Sequence, residues 1–302
     1  MLRYAGMGGN LAKNTVYLTA ASVAQKALAF LYFMLLARVM MPERTGTYFL
    51  ALSLTTIFSV LTDFGITPVV IREIAKQTDR APELIRQALG IKLPCIVLGI
   101  VGSVLAAWIL GYNPIILQLM CLAALVMAAD AISLLYYGAL RGFHALQFES
   151  LGIFLGQLCT MLLGGAALLF YPSLHVLVIV LIAGSVLNAV FSAWQVVRRL
   201  GPSVLVPAWD RVQAKRLLSV AFPFALAGIF VKVYSYVDTV FLSLYLGTAA
   251  VGVYSVAYKF TYAFQFLPMA FVAALYPGMS ALAAGDRRRL GELFDRSMWY
   301  MA

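Results

Sequence analysis

Two lysines, Lys26 and Lys232, stand 206 residues apart in the middle of two long apolar segments. A charge near the centre of a bilayer costs roughly 3 kcal/mol on insertion scales. Matching segments that carry the same charge at the same point imply a use for it: a cationic site for an anionic substrate inside a transporter. Lys26 lies about eleven residues, or ~16 Å, into its segment, whereas a lysine reaches the interface only from near a helix end. A mid-span position calls for a water-filled cavity or a buried partner. The competing reading is a structural ion pair with an acidic residue such as Asp130 or Asp238.

Other side chains in the apolar segments extend this chemistry. Asp63, Asp130 and Asp238 are candidates for ion coupling, because intramembrane carboxylates mark proton or cation relays. Asp63 has a structural alternative: it precedes Gly65 and Pro68, where it would cap a kink or pair with Arg72. Lys232 and Asp238 are six residues apart and face directions about 120° apart on a helix, so they do not pair within it. Tyr254, Tyr258, Tyr262 and Gln265 fall on one helical face, with Lys259 one step round. A tyrosine stripe stacks on sugar rings and hydrogen-bonds hydroxyls; helix packing with an interfacial aromatic belt explains it equally well. Lys26, Lys232, Lys259, Tyr254, Tyr258 and Tyr262 are therefore the expected substrate-binding set. Pro268 would kink its helix, and Gly152 with Gly156 suits close helix packing.

No enzyme signature is present. There is no nucleotide loop, no paired zinc ligands and no nucleophile with a base; Gly6-Met7-Gly8-Gly9 precedes a span rather than joining a strand to a helix. Cys95, Cys121 and Cys159 are odd in number and lack ligand spacing, and His144 and His175 are isolated. Neither a cofactor nor a metal is expected.

The elements that must position these residues are membrane helices. Hydrophobic residues make up 63% of the 302 and charged residues 11%, far from the soluble balance. A span needs about 20 mostly apolar residues. Eight such stretches are expected, at about 15–39, 48–71, 88–110, 115–140, 151–170, 174–197, 217–246 and 253–282. The first is too long for a signal peptide. The net charge of +10 would suggest nucleic acid in a soluble protein. Here 17 of the 22 basic residues precede the first span or lie at or near the second, fourth, sixth and eighth connections. Among them are Arg72, Lys76, Arg80, Arg86 and Lys92. The opposite connections, 111–114, 171–175 and 247–252, are nearly bare. This bias places the N-terminus in the cytoplasm and excludes a nucleic-acid reading.

A gapless shift of 206 residues also aligns Ala21 with Ala227, Leu36 with Leu242 and Gly46 with Gly252. It further pairs Tyr48 with Tyr254, Ala51 with Ala257, Thr55 with Thr261, Phe58 with Phe264 and Leu61 with Leu267. With the lysines this gives nine identities over 41 positions. Spans one and two thus resemble seven and eight, in the same orientation, as in transporters built from parallel repeats. The expected fold is an all-α polytopic membrane protein. Residues 1–200 form a complete six-helix bundle, and 201–302 form the first two helices of a second, pseudo-symmetric bundle. Leu290, Leu293, Phe294, Met298 and Met301 share one face of an amphipathic helix leading to a ninth span, so the chain reads as a piece of a longer transporter. The rival is a half-size protein that completes its second bundle by oligomerising.

The run from Leu36 to Tyr48, with Met41-Pro42-Glu43 and Gly46, resembles the first loop of Wzx-type polysaccharide flippases. Asp63-Phe64-Gly65 followed by Arg72-Glu73-Ile74-Ala75-Lys76 does too. Leu246-Gly247, Gly252-Val253-Tyr254-Ser255, Lys259 and Tyr276-Pro277-Gly278-Met279-Ser280 resemble the same family's seventh and eighth helices. The resemblance implies the multidrug/oligosaccharidyl-lipid/polysaccharide exporter superfamily, whose flippases move undecaprenyl-diphosphate-linked oligosaccharides across the inner, cytoplasmic membrane. It implies an anionic lipid-linked substrate, contact with membrane lipid, and partners such as a polysaccharide polymerase and other assembly proteins. Three rivals remain: a cation-coupled multidrug exporter on the same fold, disfavoured by central lysines; a membrane glycan polymerase or ligase, disfavoured by short outer loops; and a non-transporting assembly subunit.

Overall fold

Apolar side chains at nearly every position leave a segment only one way to satisfy its backbone in lipid, the helix. A computed structural model describes residues 7–264, 279 and 287–301, and the elements it describes are all helical. They are α1 (Met7–Val39), α2 (Pro42–Asp63), α3 (Ile66–Lys76), α4 (Ala81–Ile109), α5 (Pro114–Gly142), α6 (Leu146–Phe170), α7 (Leu174–Leu200), α8 (Arg211–Phe264) and α9 (Arg287–Met301). Short 3-10 turns at Thr78–Arg80 and Pro202–Leu205 join α3 to α4 and precede α8. Among the described residues, six helical stretches are long and apolar enough to cross a membrane: Pro42–Asp63, Thr78–Ile109, Pro114–Gly142, Leu146–Phe170, Leu174–Leu200 and Arg211–Thr261. Large apolar side chains such as Val97, Leu98, Val101, Leu162 and Val190 point outward, as they must where lipid is the solvent. The protein is a multi-pass membrane protein.

The element boundaries differ from the expected eight spans for local reasons. The second expected span is two helices, because Phe64 and Gly65 are both left-handed (φ 45° and 71°) and end α2. The seventh expected span and the start of the eighth fall within α8, which breaks at Gly247 (φ 80°, ψ 177°). That backbone region is open essentially to glycine alone. Gly247 lies 206 residues after Met41, the residue that precedes α2, so both copies of the repeat break at the same register. Gln265, Pro268 and most of the rest of the eighth expected span lie outside the described residues. The expected amphipathic helix is present as α9.

The chain divides into two compact units, Met1–Ser255 and Val256–Ala302. In the first, α5 is the central helix, packed on α7, α4, α2 and α3, while α6 fills the space between α1 and α7. Gly156 and Gly184 let α6 and α7 approach until a Cβ on either would meet the other's carbonyl oxygen at about 3 Å, as the small-residue pair predicts. The main core joins α3, α4, α5, α7 and α8 through residues including Ile74, Ile85, Leu135, Leu140, Val196 and Ala221.

The sparsely charged connections gather at one end, where Glu43, Asn113, Tyr171, Ser173 and Thr248 line a common pocket. At the other end the connection to α8 is tied down: Ala208 N donates to the Arg86 carbonyl at 2.9 Å, and Arg86 Nε to the Val206 carbonyl at 3.1 Å. Gly90 permits this, since a Cβ there would lie 2.1 Å from the Ala208 carbonyl oxygen. Arg141 grips the buried Glu149 across the α5–α6 turn, with Nε to Oε2 at 2.6 Å.

Candidate functional site

Glycines decide where α8 runs. Gly65, already left-handed, would place a Cβ 2.4 Å from the Ala221 carbonyl, and a Cβ on Gly228 would lie 2.8 Å from Val60. Without those side chains α8 lies against α2 and the start of α3. Lys232 follows Gly228 by four residues and so shares its face. It enters a cavity of about 490 Å³.

Asp63 of α2, Asp130 of α5 and Lys232 of α8 all line that cavity, with apolar walls from Val126, Leu134, Phe224 and Val231. Thr55, Thr56 and Ser59 also face it, but their hydroxyls donate to carbonyls of their own helix at 2.6–2.7 Å. The charged groups therefore dominate its chemistry. Lys232 is half-buried and has no ion-pair partner among the described residues. Asp130 is exposed to the space. An unpaired ammonium in a mostly apolar chamber suits an anionic group with an apolar or weakly polar remainder.

Asp63 is differently placed. Its Oδ1 pairs with Lys92 Nζ at 2.8 Å. The Thr67 hydroxyl donates to Oδ1, and Thr67 N lies 3.4 Å from Oδ2. Lys92 also reaches Thr67 Oγ1 at 3.2 Å. Asp63 thus caps the start of α3 after the break, as its position beside Gly65 predicts. The expected pairing with Arg72 is not made, because Arg72 bonds the adjacent Glu73 at 3.0 Å. Lys92, expected with the basic connection, is instead buried completely within α4. Sequence reasoning missed this pair, although Lys92 falls inside the third expected span, and a lysine there is itself the signal.

Of the remaining predicted residues, Lys26, Asp238 and Tyr254 of the first unit do not line the cavity. Lys26 is exposed on α1, makes no ion pair with Asp130 or Asp238, and is not among the residues lining the Lys232 chamber. Asp238 is held within the first unit: it accepts from the Tyr254 hydroxyl across the Gly247 break and from Thr239 N at 2.7 Å. Tyr258, Lys259 and Tyr262 belong to the second unit.

The repeat has a physical counterpart. A Cβ on Gly46 would lie 1.7 Å from the Thr248 carbonyl oxygen, and a Cβ on Gly252 would lie 1.9 Å from the Pro42 carbonyl oxygen. Pro42 and Thr248 are themselves 206 apart, like Gly46 and Gly252. Each copy thus presents to the other the same surface it receives, the signature of a two-fold contact. This contact seals α2 against the second part of α8 at the sparsely charged end.

The family described as polysaccharide biosynthesis protein matches residues 11–283. No curated protein matches the chain significantly by sequence. Among solved structures it is similar to a multidrug resistance MATE family transporter of the MOP superfamily in an inward-facing conformation. There the identity is 16% and the TM-score 0.66, covering 94% of this chain and 67% of that one. A MATE protein in a bent conformation gives 16% identity and a TM-score of 0.52, covering 90% and 73%. A MOP superfamily transporter from Pyrococcus furiosus, whose binding pocket is described as reversed in polarity, gives 18% and 0.52, covering 93% and 74%. A fold shared with solved MOP superfamily proteins and a family match over most of its length lead to one placement: the chain belongs to the polysaccharide biosynthesis protein family.

Proposed function

We propose that this chain acts in the flipping of a lipid-linked oligosaccharide, with a diphosphate head group, across the cytoplasmic membrane. The observation that carries the reading is Lys232, a half-buried cation without an ion-pair partner among the described residues, in a 490 Å³ chamber between α2, α5 and α8. The head group pairs with Lys232 while the prenyl chain stays in lipid along apolar helix faces. Asp130 shares the chamber and is the candidate for ion coupling, whereas Asp63 is engaged by Lys92 and Thr67. The basic end faces the cytoplasm by the Lys/Arg bias, with the N-terminus inside. The glycine contact between Gly46 and Gly252 then closes the outer end. For the Pyrococcus furiosus transporter, reversed pocket polarity is taken to suggest a different function; in this chain, the lysine in the chamber supports an anionic substrate over a cationic one.

The test is translocation in vesicles. With wild-type chain, a labelled undecaprenyl-diphosphate oligosaccharide becomes accessible on the far leaflet, and Lys232→Ala reduces this at least about tenfold while insertion is unchanged. Equal translocation by Lys232→Ala overturns the reading. Export of cationic dyes instead favours a multidrug exporter.

A further inference from the structure

A second cavity, of about 520 Å³, opens at the basic end between α3, the start of α4 and the start of α8. Four cations, Arg72, Lys76, Arg80 and Arg216, line it against two carboxylates, Glu73 and Glu83. The carboxylates are already committed. Glu73 holds Arg72 at 3.0 Å and Lys76 at 3.4 Å. Although burial pushes the Glu73 carboxyl up, these two cations hold it below its ordinary range, so it stays ionised. Glu83 accepts from Gln213 at 3.0 Å, which ties α8 to α4 and forms one wall. Arg80 and Arg216 are left with no carboxylate partner among the described residues. Leu217 and Val220 give the space an apolar side.

Its position is as telling as its charge. Val220 lines this cavity and Phe224, one helical turn further along α8, lines the Lys232 chamber. On α3, Val69 lines the first and its neighbour Pro68 the second. The two spaces are thus successive along the same pair of helices. Guanidinium groups are the side chains best suited to bind phosphate oxygens through paired N–H donors.

We infer that this basic cavity is a docking site for the phosphate or diphosphate head group of a membrane amphiphile, one step before the Lys232 chamber. Arg80 and Arg216 clasp the phosphate oxygens, and the Leu217–Val220 side receives the first carbons of the chain. The inference rests on the proposed function for its second step, since the head group moves on to Lys232. It does not rest on it for phosphate binding itself. Two amphiphiles share this chemistry, a polyprenyl diphosphate and a bilayer phospholipid such as phosphatidylglycerol.

Native mass spectrometry of the full chain in zwitterionic nanodiscs distinguishes the outcomes, with undecaprenyl diphosphate and phosphatidylglycerol titrated separately. Two equivalents of undecaprenyl diphosphate are expected. Arg80→Gln/Arg216→Gln removes one, weakening it at least about a hundredfold, the loss expected for two charge-assisted contacts. Lys232→Ala removes the other. Both arginines are exposed, so the double variant keeps its core, and an unchanged thermal transition verifies this. Retention of both equivalents by the arginine double variant overturns the docking site. Loss of one in that variant and none in Lys232→Ala upholds the docking site while overturning the chamber reading. Binding of phosphatidylglycerol as tight as that of undecaprenyl diphosphate, abolished by the same two substitutions, upholds the phosphate site and assigns its occupant to the bilayer.

Discussion

Lys92 and Lys232 lie within the packed unit and have opposite surroundings. Lys92 is wholly buried, 2.8 Å from the Asp63 carboxylate and within reach of the Thr67 hydroxyl. Lys232 opens into a chamber and has no ion-pair partner among the described residues. Removing an ammonium from water costs several kcal/mol, and only good geometry with further hydrogen bonds repays it. Lys92 meets that condition inside the protein and so holds α4 to the α2–α3 break. Lys232 does not, and the compensation left to it is water or an incoming anion. The difference teaches that a charge in an apolar helix is informative chiefly through its partners, and the partners come from other helices.

The largest expected effect separates the two directly. Lys92→Met strands the part-buried Asp63 carboxylate and costs about 2 kcal/mol, read as a lowered thermal transition of the purified protein. Adding Asp63→Asn restores most of it, because the stranded charge is gone. If Lys92→Met unfolds as the wild type does, Lys92 is not structural and the contrast collapses. Next, Lys232→Ala leaves the thermal transition in place and reduces translocation at least about tenfold, the loss of one charge-assisted contact. Lys232→Arg keeps part of the activity.

The repeat contact offers a third test, because it seats α8 without touching Lys92. Gly46→Ala and Gly252→Ala each overpack the junction by about 1–3 kcal/mol. The double variant costs clearly less than the two losses added, since both act at one interface. Strict additivity in thermal measurements would mean that the two glycines do not share a contact. The smallest effect is expected from Lys26→Ala, whose side chain is exposed on α1 away from the Lys232 chamber. Its translocation stays within about twofold of the wild type, well under the factor of ten that one charge-assisted contact carries. A loss as deep as that of Lys232→Ala would put both lysines on one path.

Much of this was legible along the chain. Apolar runs about 20 residues long are obliged to be helices in lipid, so composition and run length alone specified an all-helical membrane protein. The Lys/Arg asymmetry sorted the connections into two sets, and within the first unit sparsely charged connections share one pocket while Arg72, Lys76, Arg80 and Arg216 share another. The 206-residue shift identified Gly46 and Gly252 as equivalents; the break shared by Met41 and Gly247 came only with the structure. The Gly152–Gly156 pair pointed to close helix packing, which Gly156 makes against Gly184 of α7. Asp63 beside Gly65 gave a helix cap. These are local or periodic features, readable because one turn of helix or one left-handed residue is encoded by a few neighbours.

Tertiary structure alone decided which charges meet. Nothing in the sequence joins Asp63 to Lys92, 29 residues away in another helix, or separates Lys26 from the chamber that receives its repeat partner. An apolar helix can rotate about its axis with little change in its own energy, since lipid and protein interior are similarly apolar. Which face turns inward is settled by close approaches between helices, at Gly65, Gly228, Gly46 and Gly252, where the absence of a Cβ lets backbones touch. The sequence by itself determined that charges lie in the membrane; the packing of those glycines determined that one lysine is locked to a carboxylate and the other faces an open chamber.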